Sequence, residues 1–123
     1  MSLTAQLKER EPGVFVFTLN GRLDTNTYQI LETRVDEVLK HSPRTVVFDM
    51  AGLEYISSMG LRVVLKTEKA LKQNGGNVVL TNLKPQIEKV FEIVNALPSF
   101  TIFKDTQEMD NYLDKMQKKA LEE

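Results

Sequence analysis

Cysteine is absent from this sequence, and histidine occurs once among its 123 residues. Without cysteine there are no disulfides, thiolate metal ligands or cysteine nucleophiles, and a reducing compartment is favoured. Charge of either sign is not in excess, with 16 Lys and Arg against 17 Asp and Glu. Nucleic acid is therefore not expected as a partner, because a phosphate backbone is bound by an excess of cations. No apolar run approaches the roughly 20 residues of a membrane span, so we expect a cytoplasmic protein.

Familiar catalytic and cofactor motifs are also lacking. The sequence has no Walker loop, no GxGxxG, no HExxH and no Gly-x-Ser-x-Gly elbow. His41 falls at the predicted end of a helix, where the helix dipole favours a positive imidazole, and it has no evident partner for base catalysis. We therefore expect a protein that is not an enzyme and that needs neither a cofactor nor a metal.

The first half of the chain predicts a hairpin, a helix and a buried strand. Two strand-like stretches, TAQLKERE and GVFVFTLNG, are joined by Pro12-Gly13, which is typical of an antiparallel hairpin. Residues 1–3 are expected to be peripheral. Apolar residues at helical spacing predict a helix over 27–40, stopped by Pro43. Three polar residues are candidates for its N-cap: Thr25, Asn26 and Thr27. The β-branched run TVVFDM predicts a central strand covered on both faces.

The second half alternates helices and strands. A helix begins near Ser58 and ends at Gly75-Gly76, which can adopt the left-handed conformation. NVVLTNL is the next strand, Pro85 opens a third helix, SFTIFK is the last strand, and Asp105 or Thr106 caps a final helix. The apolar residues expected to face the core from the last two helices are Ile87, Val90, Phe91, Val94, Met109, Tyr112, Leu113 and Met116.

This order, β-β-α-β-α-β-α-β-α, predicts a single α/β domain over 1–123 with a mixed, mostly parallel sheet covered by helices. One alternative is a response-regulator receiver domain. Four residues at or near strand ends resemble its magnesium-binding phosphoacceptor site: Asp24, Asp49, Thr81 and Lys104. A receiver, however, opens with a parallel strand–helix unit and an acidic pair, whereas this chain opens with a hairpin. In the simpler interpretation, Asp49 accepts a local backbone amide in the loop MAGLEY.

Three segments carry a resemblance to a known family: GRLDTNT, VVFDMAGLEYISSMGLRVVL and GGNVVLTNLKPQIEKVFEIVNAL. In order and spacing they resemble bacterial anti-sigma factor antagonists, the founding members of the STAS domain family. The resemblance implies a single STAS domain that binds an anti-sigma factor, itself a serine kinase, and so frees a sigma factor. It also implies a serine phosphatase as a second partner. A monomer or weak dimer is expected. The nearest alternative is a STAS module of another signalling or transport complex.

The resemblance also implies a phosphoacceptor and a partner-binding surface. The family loop usually reads Asp-Ser-Ser/Thr-Gly, and the serine after the Asp is phosphorylated. Aligned on Gly60, that serine is Ser58, while Ser57 replaces the Asp and is the second candidate. The implied partner-binding residues are Gly21, Arg22, Leu23, Asp24, Thr25, Ser57, Ser58, Met59, Gly60, Leu61 and Arg62. Gly60 is expected to keep this surface open for a partner's backbone. From the residues alone, Ser57 as a helix cap and Ser58 as an ordinary first-turn residue is an equal alternative.

Overall fold

Five strands form one sheet in the order β1-β2-β3-β4-β5. The computed structural model describes residues 2–122, with side chains as far as residue 119. The strands are β1 (Leu3–Glu11), β2 (Val14–Leu23), β3 (Thr45–Ile56), β4 (Asn77–Thr81) and β5 (Thr101–Phe103). β1 and β2 form an antiparallel hairpin, and every other neighbouring pair is parallel. The predicted mixed sheet, its opening hairpin and the interior position of the strand at 45–49 are confirmed.

Four α-helices connect or follow the strands: α1 (Tyr28–Leu39), α2 (Ser58–Gln73), α3 (Pro85–Ile93) and α4 (Thr106–Glu122). All four were expected from the apolar periodicity, and a short 3-10 turn, Leu97–Ser99, is added before β5. Among the residues described, no helix combines the length and the apolar character needed to cross a membrane.

A left-handed residue follows α2, as the sequence predicted, and another follows α3. Gly75 has φ +79° after α2, and Asn95 has φ +56° after α3. In each case the next amide reaches back into the helix: Gly76 donates to the carbonyl of Leu71, and Ala96 donates to that of Phe91. These six-to-one hydrogen bonds satisfy carbonyls that the helix leaves free.

The sheet separates two apolar cores. One face is covered by α1, α2 and α3, and its largest fully buried side chains include Phe17, Phe48, Phe91, Leu31 and Leu71. The opposite face is covered by α4 alone, through Val14, Val47, Val79, Phe103, Met109 and Leu113. Three helices on one face follow from three consecutive parallel connections that all advance across the sheet in one direction.

β3 is longer than predicted. The sequence predicted that the strand ends at Asp49 and that MAGLEY is a loop, but the strand continues to Ile56 and pairs with β2 along its length. Register shifts interrupt this pairing between Thr18 and Asn20. Gly52 allows the continuation, because a Cβ at this position would lie 1.8 Å from Oδ1 of Asn20. Asp49 does accept the amide of Ala51, at 3.1 Å, so that part of the prediction is confirmed.

Three of the predicted core residues are substantially exposed. Val94 is 49% exposed because α3 ends one residue earlier and Val94 is its C-cap. Tyr112 and Met116 are 41% and 39% exposed, and they flank the buried side of a helix that is alone on its face of the sheet. Tyr112 still packs on Phe103, with 5.1 Å between the ring centroids.

The start of the chain is not peripheral. Leu3 is buried in the larger core, and the carbonyl of Ser2 accepts the amide of Arg22 at 3.2 Å. Gly21 has φ +104°, and a Cβ there would lie 2.2 Å from the Ser2 carbonyl oxygen. The expectation for residues 1–3 was therefore wrong for Ser2 and Leu3, whereas Met1 lies outside the described residues.

Candidate functional site

The two segments implied as a partner-binding surface lie side by side at the carboxyl ends of β2 and β3. The parallel register sets Leu23 opposite Ile56, where both strands end. One residue further on, the amide of Ser57 donates to the carbonyl of Leu23 at 2.8 Å. We refer to residues 21–25 and 57–62 together as the two-loop surface.

Ser57 caps α2 and thereby places Ser58. Ser57 has an extended backbone, and its hydroxyl accepts the amide of Gly60 at 3.2 Å. Its carbonyl accepts the amide of Leu61 at 2.8 Å, which starts the helical ladder. Ser58 is thus the first helical residue, and its side chain is exposed. Within residues 2–119, no acceptor takes the amide of Ser58 or Met59, as expected for the first turn of a helix.

Gly60 is buried and does not provide open space for a partner, so that expectation was wrong. A Cβ on Gly60 would lie 2.6 Å from Cγ of Leu23 and 2.8 Å from its carbonyl oxygen. The glycine is needed because the first turn of α2 packs directly on the end of β2. Its small size lets the first turn of α2, with Ser57 and Ser58, lie against Leu23.

The two-loop surface divides into supporting and accessible residues. Leu23, Gly60 and Leu61 are buried, and the first of these is fully inaccessible. The remaining members are fully or partly exposed: Gly21, Arg22, Asp24, Thr25, Ser57, Ser58, Met59 and Arg62. These eight residues are therefore accessible at the surface, while the buried three support them from below.

Asp24 organises the first loop and the start of α1. Its Oδ1 accepts the amides of Asn26 at 2.9 Å and Thr27 at 3.1 Å, so this carboxylate orders the turn that leads into α1. Thr27 occupies the N-cap position without a capping bond of its own. Its hydroxyl instead lies 2.7 Å from the carbonyl oxygen of Arg22 and accepts the amide of Asp24. Of the three predicted N-cap candidates, Thr25, Asn26 and Thr27, the structure has Thr27 at the N-cap position, without a capping hydrogen bond from its side chain.

These contacts lower the pKa of Asp24. The largest single influence, partial removal of the carboxyl group from water, acts in the opposite direction and raises the pKa. It is outweighed by the hydrogen bonds from Asn26 and Thr27 and by the guanidinium of Arg22, whose Nε lies 3.6 Å from Oδ2. Asp24 is therefore held as an anion next to the start of α1, where a negative charge is favoured.

Tyr55 belongs beside this surface and was missed by the sequence reasoning. The guanidinium of Arg22 lies 4.1 Å from the centroid of its ring, within cation–π distance. Arg22 is thus held between an aromatic face and the carboxylate of Asp24. Tyr55 points outward because the register shifts after Gly21, so that Arg22 faces Tyr55 instead of Glu54.

A shallow groove continues the two-loop surface along α2. Its lining residues are Ser58, Leu61, Arg62, Leu65, Lys66 and Lys69. No acidic side chain is among them, but Lys66 is neutralised from α1, where Glu32 and Asp36 lie 3.2 and 3.5 Å from its Nζ. The hydrogen bond to Glu32 is the main cause of the raised pKa of Lys66.

The structure does not support the receiver-like alternative, because its four candidate residues do not lie together. Asp49 lies opposite Thr18 on β2, six residues before Asp24, which separates the two carboxylates by roughly 20 Å along the strands. Thr81 is fully buried. Across the part of the chain that the structure describes, no three His, Asp or Glu side chains group as a metal site. The four residues therefore do not form a shared magnesium centre.

Comparison with known proteins identifies the family of this chain. The family model of the STAS domain matches residues 5–109. BtrV of Bordetella bronchiseptica, described as an anti-sigma factor antagonist, is 39% identical over 90 residues, which are 73% of this chain and 78% of BtrV.

The fold is shared with solved structures of the Bacillus protein SpoIIAA. Its unphosphorylated form, an anti-sigma factor antagonist, has a TM-score of 0.75 at 20% identity over 93% of this chain and 98% of SpoIIAA. Its phosphorylated form has a TM-score of 0.72 at 21% identity over 89% and 99% of the two chains. With the match of the family model over most of its length, this chain belongs to the STAS domain family.

Proposed function

We propose that this protein is an anti-sigma factor antagonist, which binds an anti-sigma factor with serine kinase activity, frees a sigma factor and is released when Ser58 is phosphorylated. The observation that carries the proposal is the exposed Ser58 at the first position of α2, with residues 21–25 fixed beside it. The description of BtrV and the existence of a phosphorylated form of SpoIIAA support it.

In this reaction the protein is a substrate rather than a catalyst. The Ser58 oxygen attacks the γ-phosphorus of ATP, and the bond from that phosphorus to the β,γ-bridging oxygen breaks. ADP leaves, and the hydroxyl proton passes to a base of the kinase. A serine phosphatase reverses the change by hydrolysing the ester, which returns the hydroxyl and releases phosphate. Ser57 is less suited as the acceptor because its hydroxyl is engaged by the amide of Gly60.

Phosphorylation changes the surface and leaves the fold unchanged. The Ser58 hydroxyl has no hydrogen-bond partner within residues 2–119, so no internal contact is lost. The phosphate adds about −1.5 to −2 charges. An unpaired charge that is buried in an interface costs about 2 to 5 kcal/mol, and about 1.4 kcal/mol corresponds to a tenfold change in affinity. We therefore expect Ser58→Asp to weaken binding by roughly one to three powers of ten.

The test uses the purified protein and candidate anti-sigma factors of the serine-kinase class cloned from the same genome, with binding measured by calorimetry and phosphate located by mass mapping. Ser58→Ala should bind normally and take up no phosphate, whereas the control Ser99→Ala, at another exposed serine, should behave as the parent. Phosphate on Ser57 alone would reassign the switch. Binding without phosphate on either serine would indicate a constitutive antagonist. Absence of binding would favour a STAS module of another signalling or transport complex.

A further inference from the structure

Arg62 lies one helical turn after Ser58 on the outer face of α2. The two residues are four positions apart, both are exposed, and both line the same groove. Side chains with this spacing are neighbours on a helix, with about 5 to 6 Å between their Cβ atoms. The long arginine side chain can therefore bring its guanidinium to the Ser58 hydroxyl.

Arg62 is also the cation that is available at this position. Lys66, one turn further, is held by Glu32 and Asp36 of α1. Arg22 of the adjoining loop is held by Asp24 and Tyr55. Arg62 itself forms no ion pair or side-chain hydrogen bond within residues 2–119.

We propose that Arg62 binds the phosphate of phosphorylated Ser58 within the same chain. This rests on the proposed function in taking Ser58 as the modified residue. A guanidinium presents paired N–H groups that match two phosphate oxygens. The order is also the favourable one, because an acidic group placed before a basic group at this spacing agrees with the helix dipole. No carboxylate lies directly before Ser58 to compete for Arg62, since residues 55–57 are Tyr, Ile and Ser.

The contact gives phosphorylation two effects at once. Before modification, the two-loop surface and the groove present Arg62 as a free cation to a partner's acidic groups. After modification, the phosphate brings its negative charge and also occupies Arg62. A partner that recognises the unmodified surface therefore meets an added anion and loses a cation from the same helical turn.

The experiment measures the second pKa of the phosphate by phosphorus NMR on full-length protein with phosphoserine incorporated at position 58 during translation. Arg62→Gln should raise this pKa by roughly 0.2 to 0.4 unit, because the dianion loses its neighbour. Lys69→Gln is the matched control: it removes one charge from the same groove but lies eleven residues away, roughly 16 Å along the helix. Its shift should be less than half as large. Arg62→Lys should retain part of the effect.

If Arg62→Gln and Lys69→Gln shifted the second pKa of the phosphate equally, or if neither shifted it, the proposed contact would be overturned. The phosphate would then interact only with the overall charge of the helix. Both positions are exposed, and a thermal melt of each variant verifies that it is folded. No kinase takes part in this measurement. If no kinase modified the chain, the proposed function would be refuted, but the NMR result would be unchanged. If the NMR experiment showed no contact between Arg62 and the phosphate, the proposed function would still stand.

Discussion

Gly60 and Leu23 are in direct contact, so that a Cβ added to the glycine would lie 2.8 Å from the carbonyl oxygen of Leu23. The same oxygen accepts the amide of Ser57 at 2.8 Å. One residue at the end of β2 therefore fixes both the cap and the first turn of α2. The position of Ser58 follows from this packing rather than from the preferences of its own loop.

Gly60→Ala should destabilise the fold even though alanine is the better helix former. The added methyl group must displace Leu23, and overpacking of this kind costs about 1 to 3 kcal/mol. The gain in helix propensity offsets about 0.5 to 1 kcal/mol of that. Urea unfolding should therefore show a net loss of roughly 0.5 to 2 kcal/mol. Ser58→Ala, at an exposed neighbour, should stay within about 0.5 kcal/mol of the parent. Equal stabilities of the two variants would contradict the close contact.

Ser57→Ala should weaken α2 by removing the acceptor of the Gly60 amide. Loss of such a cap costs about 0.5 to 2 kcal/mol. Ser57→Asp, which introduces the residue usual in the family, keeps an acceptor and adds a negative charge at the helix start, worth about 0.3 to 1 kcal/mol. Thermal melts should therefore rank the variants with Asp at or above the parent and Ala below it. A melt of Ser57→Ala that matches the parent would show that the cap contributes nothing.

Asp24→Asn should flatten the dependence of stability on pH. The pKa of Asp24 is lowered in the fold, so the unfolded chain takes up the proton more readily. The resulting stabilisation is fully present above the unfolded pKa of about 3.9 and is lost as the pH falls through the lower folded value. Parent and variant should differ most above about pH 5 and should converge only once the pH has fallen below the lowered folded pKa of Asp24. The free energy of unfolding is measured with urea at each pH. Thr25→Ala, an uncharged change in the same loop, should leave the dependence of this free energy on pH unchanged. A constant difference at every pH would assign the effect to geometry alone.

The order of strands and helices could be predicted because each element carries its own period of apolar residues and its own end signals. Pro12-Gly13, Gly75 and Asn95 are local signals, and the structure uses each of them as a turn or a helix end. The extension of β3 could not be predicted in this way. It depends on the close approach of Gly52 to Asn20. These residues are 32 positions apart in the chain, so no local sequence pattern indicates their contact.

The candidate site was predicted in position but not in detail. Ser58 at a helix start follows from the local pattern, and the structure places it there. The burial of Gly60 depends on Leu23, a residue on another strand. Regular alternation from the buried Leu53 would turn Tyr55 inward as well, but the shift in pairing with β2 turns it outward to Arg22. Both errors arise at contacts between distant segments, where packing overrides local preference.

The first strand provides a matched pair of leucines. Leu3 is 6% exposed and belongs to the larger core, whereas Leu7 is 39% exposed on the same strand. Leu3→Ala should cost about 2 to 5 kcal/mol, because it removes buried methyl groups and leaves a cavity beside the hairpin. Leu7→Ala should cost less than half as much, since much of its side chain is already in water. Urea unfolding of both variants measures the difference. A loss for Leu3→Ala as small as that for Leu7→Ala would show that the start of β1 is frayed in solution.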